Sequence, residues 1–195
     1  GTLMDSVPDL ASAVNHMLQA LHRETFNEDT IRYWVGNGAQ VLVKRALSGQ
    51  TEIDQTLDQS LFEKALEIFL TFYGQHLCID TAAYPNVTAT LHSLKEKEYR
   101  LGIVTNKPEF LTLPLLEQMQ LHNRACSIVS GDTIPQRKPD PEPLYLAASQ
   151  CECLVTECIY VGDAERDIEA GNRANMKTLL ASYGYIDDKQ MPIEW

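Results

Sequence analysis

The sequence predicts an α/β fold in which a helical module precedes a core of parallel strands alternating with helices. Two patterns carry this reading. Up to residue 100 the apolar residues recur at helical spacing and no strand is legible; beyond it, short apolar runs of buried-strand length alternate with helix-length stretches. Composition agrees. The 195 residues are 44% hydrophobic and 22% charged, which suits one domain or a domain with an insertion and argues against disorder.

The elements follow in order. Ser6-Val7-Pro8-Asp9 reads as a capping-box-like helix start, with an acid three positions after the serine and a proline tolerated in the first turn. Val7, Leu10, Val14, Met17, Leu18 and Leu21 then recur at helical spacing. Residues 30–35 read as a short helix ended by Gly36-Asn37-Gly38, and a second helix runs through Val41, Leu42 and Leu47. After the polar stretch 49–58, Leu61, Phe62, Ala65, Leu66, Phe69, Leu70 and Tyr73 form a further apolar stripe. Asn86 is placed to cap a helix carrying Val87, Leu91 and Leu94. Next come a strand-length run from Leu101 to Val104, a helix through Leu115, Leu116 and Met119, and a strand at Ser127-Ile128-Val129. A helix near 142–150, a strand from Cys158 to Val161, a helix near 165–174 and a strand at Thr178-Leu179-Leu180 complete the pattern. Strands alternating with helices imply a parallel sheet with helices on both faces.

Charge and targeting narrow the function. A formal net charge of −11 and the lack of a Lys/Arg stripe argue against nucleic-acid binding. A small anionic substrate is compatible with that charge, since a few local donors outweigh a distant net charge. No basic region leads into an apolar run at the start, and no apolar stretch approaches the ~18 residues that span a bilayer, so the expectation is a soluble, cytoplasmic protein without membrane contact. Cys78, Cys126, Cys151, Cys153 and Cys158 lack the spacing of a zinc site and are expected to be reduced, structural thiols. Oligomeric state is not legible.

In open α/β sheets ligands lie beyond the carboxyl ends of the strands, so candidate chemistry is sought there. Thr105-Asn106-Lys107 follows the first strand; a hydroxyl, an amide and free backbone N–H groups suit a phosphate, although the same residues also read as a polar turn entering a helix. The strand ending at Val161 leads into Gly162-Asp163-Ala164-Glu165-Arg166-Asp167. Gly162 permits close approach of backbone or ligand, and Asp163 and Asp167, four apart, share one face of a first helical turn. Such carboxylates are hard oxygen ligands for Mg2+, or equally an N-cap and a first-turn acid serving the helix dipole. In Arg137-Lys138-Pro139-Asp140-Pro141 a proline on each side of Asp140 stiffens the loop and holds Lys138 extended, a point charge for a phosphoryl oxygen or an exposed basic loop.

A strand-end Thr, a Lys before Pro, then a strand-end Gly-Asp with an Asp four later, in that order, resembles the second, third and fourth motifs of the haloacid dehalogenase superfamily. Gly1-Thr2-Leu3-Met4-Asp5-Ser6 is similar to the tail of its first motif, Asp-x-Asp-Gly-Thr-Leu-x-Asp-Ser. Within the superfamily, the phosphoglycolate phosphatases have segments similar to Val35-Gly36-Asn37-Gly38, to Thr105–Pro108 and to Tyr160–Ile168. The resemblance covers essentially the whole chain. It implies a Rossmann-like parallel-sheet core with an inserted α-helical C1-type cap domain, the cap at 5–82 and the core at 1–4 and 83–195, shortened at both ends.

It also implies roles. Thr105 and the Asn106 amide would hold the phosphoryl group, and Thr2 would sit beside it. Lys138 would neutralise phosphoryl oxygens, Asp163 would bind Mg2+, and Asp167 would order that loop and Lys138. Gly36, Asn37 and Gly38 would set substrate choice from the cap, or would simply be a helix-to-helix turn. The implied reaction is Mg2+-dependent hydrolysis of a small phosphorylated organic acid, 2-phosphoglycolate foremost, through an aspartyl phosphate. The nucleophilic aspartate and its acid/base partner would lie just before Gly1 on a strand upstream of it; Asp5 matches the later Asp-Ser pair instead. Alternatives are a phosphatase or phosphomutase of other substrate on the same scaffold, or a catalytically inactive remnant that binds phosphate or a partner. A dehalogenase fits less well, because the Asp163 segment reads as a metal site.

Overall fold

A computed structural model describes residues 1–186 and Trp195. The stretch 187–194 of the expected core lies outside the described residues. The chain divides into two compact units, one of Gly1–Asp5 with Ala82–Trp195 and one of Ser6–Thr81.

The Ser6–Thr81 unit is helical: α1 (Val7–Ala20), α2 (Glu28–Arg32), α3 (Ala39–Ser48) and α4 (Gln59–Gln75). Its buried stripe follows the sequence periodicity, with Val7, Val14, Met17 and Leu18 of α1, Ile31, Val43, Phe69 and Tyr73 almost wholly out of solvent. Truncating any one of the larger of these to Ala would cost about 2–5 kcal/mol through lost burial and the cavity left behind. Local signals set the helix ends. The Asn27 side chain accepts from the Thr30 N–H and Asp58 from the Leu61 N–H, both at 2.8 Å. Gly49 closes α3 at φ 69°, a left-handed conformation open to glycine.

The expected capping box at Ser6 does not form. Ser6 makes no side-chain cap on α1. Asp9 instead turns its carboxylate to the chain leaving the unit, accepting from the N–H groups of Ile79, Asp80 and Thr81 at 3.1, 2.9 and 2.9 Å and from the Thr81 hydroxyl at 2.6 Å. Several donors converging on one buried carboxylate outcompete a single cap bond.

The other unit holds β1 (Met4–Asp5), β2 (Ala82–Ala83), α5 (Val87–Glu96), β3 (Gly102–Val104), α6 (Glu109–Gln118), β4 (Ser127–Val129), α7 (Glu142–Gln150), β5 (Ile159–Gly162), α8 (Glu165–Arg173) and β6 (Lys177–Leu180). Two strands thus precede residue 100 where none is legible. β1 and β2 are two residues each, too short to show alternation, and pair antiparallel with Met4 opposite Ala83. β3 and β4 pair in parallel, Gly102 to Ser127 through Val104 to Val129; β5 and β6 do likewise, Ile159 to Lys177 through Gly162 to Leu180. The α/β class with parallel pairing is as expected. Among the described residues the strands form separate pairs, with no ladder bonds between β3 and β5.

α7 and α8 bury one face of these strands. Leu144, Ala148, Ala170, Ala174 and Met176 form a core against which Val104 and Tyr160 pack. On β5 and β6 the opposite face is exposed: Ile159, Val161 and Leu179 remain 52%, 43% and 55% exposed. α5 likewise buries no residue, despite its apolar stripe. Cys126, just before β4, and Cys151, at the end of α7, are joined by a disulfide, with Cα atoms 5.3 Å apart. That corrects the expectation of five reduced thiols; packing α7 on β4 brings the two within bridging distance. Cys78, Cys153 and Cys158 are not disulfide-bonded. No helix among the described residues is long and apolar enough to cross a membrane.

Candidate functional site

The candidate residues of the α/β unit gather at the carboxyl ends of β3, β4 and β5. β3 runs out at Val104, and Thr105 continues its ladder by donating its N–H to Val129 O at 2.9 Å. The chain then turns: the Lys107 N–H donates to Thr105 Oγ1 at 3.1 Å, and Gly131 N–H to Lys107 O at 2.8 Å. A Cβ on Gly131 would lie 2.2 Å from Asn106 O, so only glycine lets the end of β4 press on this turn. The Asn106 side-chain amide donates to Lys138 O at 3.2 Å, tying the second and third motifs together.

Lys138 is not on an exposed loop. Its side chain is 9% exposed, and the peptide to Pro139 is cis. The ammonium donates to Val104 O at 3.0 Å, to the Tyr160 hydroxyl at 2.9 Å and to Asp167 Oδ1 at 2.8 Å. It thereby bridges the two parallel strand pairs at their carboxyl ends. Burial alone would lower its pKa, but the Tyr160 oxygen and the Asp167 carboxylate outweigh burial and hold it above the ordinary lysine value. Burial would raise Asp167, but the Lys138 and Arg166 charges, with hydrogen bonds from Lys138 and the Asp163 N–H, hold it below the ordinary carboxylate range. Both groups are therefore charged at neutral pH.

Asp167 also shapes the loop after β5. Its Oδ2 accepts from the Asp163 and Ala164 N–H groups at 3.2 and 3.1 Å. A Cβ on Gly162 would lie 2.2 Å from Asp167 Cβ, which explains a glycine at the end of this strand. Asp163 itself is buried, and its Oδ1 accepts from Thr2 Oγ1 at 2.9 Å. Thr2 thus faces the carboxylate. Gly1 is closer still, since a Cβ there would lie 1.8 Å from Asp163 Oδ2.

The chain's first residues and the fourth motif, far apart in sequence, therefore share one place. Gly36, Asn37 and Gly38 belong to the helical unit, where Gly36 and Gly38 have φ of 116° and 89° and Gly38 precedes α3.

Three participants escape the sequence reading. Tyr160 supplies an oxygen to Lys138; strand alternation puts it on the same face as Gly162 and is the available signal. Ser130, after β4, has a buried Oγ with no hydrogen-bond partner among the described residues. The turn after β6 contributes the Tyr185 N–H, which donates to Asp163 Oδ2 at 3.2 Å. The rule that directs attention to strand ends applies to β4 and β6 as well.

A divalent cation can be tested against these groups. Asp163 offers a hard, buried carboxylate next to Gly1, where side-chain volume is excluded. Among the described residues no three His, Cys, Asp or Glu side chains converge as a metal cluster. That donor chemistry suits Mg2+, which commonly takes one or two carboxylates and keeps several waters, and does not suit a closed zinc site.

Comparison with known proteins decides the family. A model of the haloacid dehalogenase-like hydrolase family matches residues 1–181. The chain belongs to this family. The phosphoglycolate phosphatase of Colwellia psychrerythraea is 45% identical over 185 residues, covering 95% of this chain and 82% of the relative. That of Pseudomonas putida KT2440 is 41% identical over 194 residues, covering 100% and 71%. Among solved structures, a predicted phosphoglycolate phosphatase from Haemophilus somnus superposes with a TM-score of 0.85 at 32% identity, covering 95% of this chain and 83% of that one. The α/β fold with parallel strands is accordingly that of the haloacid dehalogenase-like hydrolases.

Proposed function

We propose that the chain is an Mg2+-dependent phosphatase that converts 2-phosphoglycolate to glycolate and phosphate in the cytoplasm. The enzyme class, a phosphoric monoester hydrolase, follows from the family and from relatives named phosphoglycolate phosphatase at 45% and 41% identity. The observation that carries the reading is the convergence of Thr105, Lys138, Asp163 and Asp167 at adjacent strand ends, with Lys138 charged and buried.

In this reading the turn at Thr105 and Asn106 binds the phosphoryl group through hydroxyl and amide donors. Lys138 exchanges one of its acceptors for a phosphoryl oxygen and offsets the charge that develops during transfer. Asp167 keeps Lys138 charged and orients it while bracing the Asp163 loop. Asp163 would hold Mg2+, which when bound neutralises the transferring group. The nucleophile would be an aspartate of the first motif upstream of Gly1, attacking phosphorus to give an aspartyl phosphate, with the aspartate two positions later passing protons to the leaving oxygen and from water. Supporting that location, Gly1 lies against Asp163, so the tail of the first motif already meets the fourth. Gly36, Asn37 and Gly38 would select the substrate's carboxylate through the Asn37 side-chain amide together with backbone N–H donors at the start of α3.

The test is phosphate release from 2-phosphoglycolate and from a generic aryl phosphate, for the wild type and Asn37→Ala. Preference for 2-phosphoglycolate that is lost in the variant supports the reading. Equal rates on both substrates before and after the substitution would remove the substrate assignment.

A further inference from the structure

We propose that the turn Tyr183-Gly184-Tyr185, immediately after β6, is a positioning element that sets the Asp163 carboxylate for the divalent cation. The proposal rests on the reading of Asp163 as the metal ligand.

The turn is fixed first to the strand that carries Asp163. β6 pairs with β5 in parallel up to Gly162 opposite Leu180, and the Ala181 N–H then donates to Gly162 O at 2.7 Å. From that root the chain folds over the carboxylate. A Cβ on Gly184 would lie 2.2 Å from Asp163 Cβ, so the Gly184 backbone presses directly on the aspartate where any side chain would displace it. The next residue donates its N–H to Asp163 Oδ2 at 3.2 Å, while Thr2 Oγ1 holds Oδ1 at 2.9 Å. Each carboxylate oxygen thus has a protein donor on it, which fixes the plane of the group. Each oxygen can accept more than one bond, so the arrangement orients the carboxylate without exhausting it.

The two tyrosines extend the same function to the first motif. The Tyr183 hydroxyl donates to Thr2 O at 2.8 Å, and the Tyr185 hydroxyl bonds Asp5 Oδ1 at 3.0 Å. The Tyr183 ring lies 4.9 Å from that of Tyr84, whose N–H donates to Leu3 O. One turn therefore braces both Asp163 and the segment carrying Thr2. A turn that merely closed the sheet would need neither contact. Partners that orient metal-binding carboxylates in this way commonly affect affinity for the ion by about 10–100-fold when altered.

The experiment is Mg2+ titration by calorimetry on the full chain, with thermal melting beside it, for the wild type, Gly184→Ala, Tyr185→Phe, Ser182→Ala and Asp163→Asn. The expected result is that folded Gly184→Ala binds Mg2+ about tenfold or more weakly, while Ser182→Ala, altering an exposed residue of the same turn, binds as the wild type does. If Gly184→Ala does not fold, Tyr185→Phe decides, with weaker Mg2+ binding at an unchanged melting temperature expected. Wild-type affinity in the deciding variant, with binding lost in Asp163→Asn, overturns the positioning role alone. Unchanged binding in Asp163→Asn overturns the metal-ligand reading on which it rests.

Discussion

Lys138 and Asp167, 29 positions apart, form a 2.8 Å ion pair whose side chains are 9% and 4% exposed. Removing one partner of so buried a pair leaves an uncompensated charge. Lys138→Met should therefore destabilise the protein by about 3 kcal/mol and reduce turnover about 100-fold or more. The double variant Lys138→Met/Asp167→Asn, which removes both charges but keeps an acceptor for the Asp163 and Ala164 N–H groups, should recover part of the stability and none of the turnover. Urea denaturation and steady-state kinetics on the wild type, both single variants and the double would show it; additive losses of stability would mean that the pair is not coupled.

The same pair makes stability depend on pH. Asp167 has a depressed folded-state pKa, so its contribution is present above the unfolded carboxylate value of about 4 and is lost as pH falls through the lower folded value. Lys138 has a raised pKa, so its contribution is complete below the unfolded value of about 10.4 and is lost only as pH rises through the higher folded value. Between these limits both are retained. On acidification the wild type should lose stability that the double variant does not have to lose, and their unfolding curves should converge at low pH. Parallel curves across the acid range would refute the assignment.

The disulfide makes a separate prediction. Cys126 and Cys151 enclose a loop with a sequence separation of 25 that contains Lys138. Closing a loop of this length contributes about 3 kcal/mol in the chain-entropy account. Cys126→Ser/Cys151→Ser, or treatment with a dithiol, should lower the melting temperature to the same extent. A dithiol that lowers the melting temperature of the double serine variant as well would place the effect elsewhere.

Much of this is legible in sequence, for a physical reason. Helices with a clear 3.6-residue stripe, such as α1 and α4, are written in local periodicity, and strand-end Thr105 and Asp163 follow from the rule that α/β sheets bind ligands at strand ends. β1 and β2 cannot be seen, because so short a strand carries no period. Ser6 reads as a cap because its competitor, the 79–81 turn that engages Asp9, is far away along the chain. Lys138 reads equally well as a surface charge until packing supplies Tyr160 and Asp167 around it. The disulfide is hidden for the same reason: spacing gives no account of which cysteines meet in space.

The resemblance to the first motif carries its own prediction. Phosphate and metal groups at Thr105, Lys138 and Asp163 stabilise a transfer that needs a nucleophile to begin it. A chain extended to carry the complete Asp-x-Asp strand, roughly ten residues more, should release phosphate, and replacing the first of those aspartates by Asn should abolish the release. Equal activity with and without that replacement would move the nucleophile to a residue not assigned here.

The most direct measurement of the central claim is phosphate release from 2-phosphoglycolate by that extended chain, titrated with Mg2+, beside its Asp163→Asn variant. The account predicts release that requires Mg2+ and is abolished by a chelator, with turnover in Asp163→Asn reduced by orders of magnitude and no longer restored at the Mg2+ concentrations that saturate the wild type. Wild-type turnover and an unchanged Mg2+ titration in Asp163→Asn would contradict it.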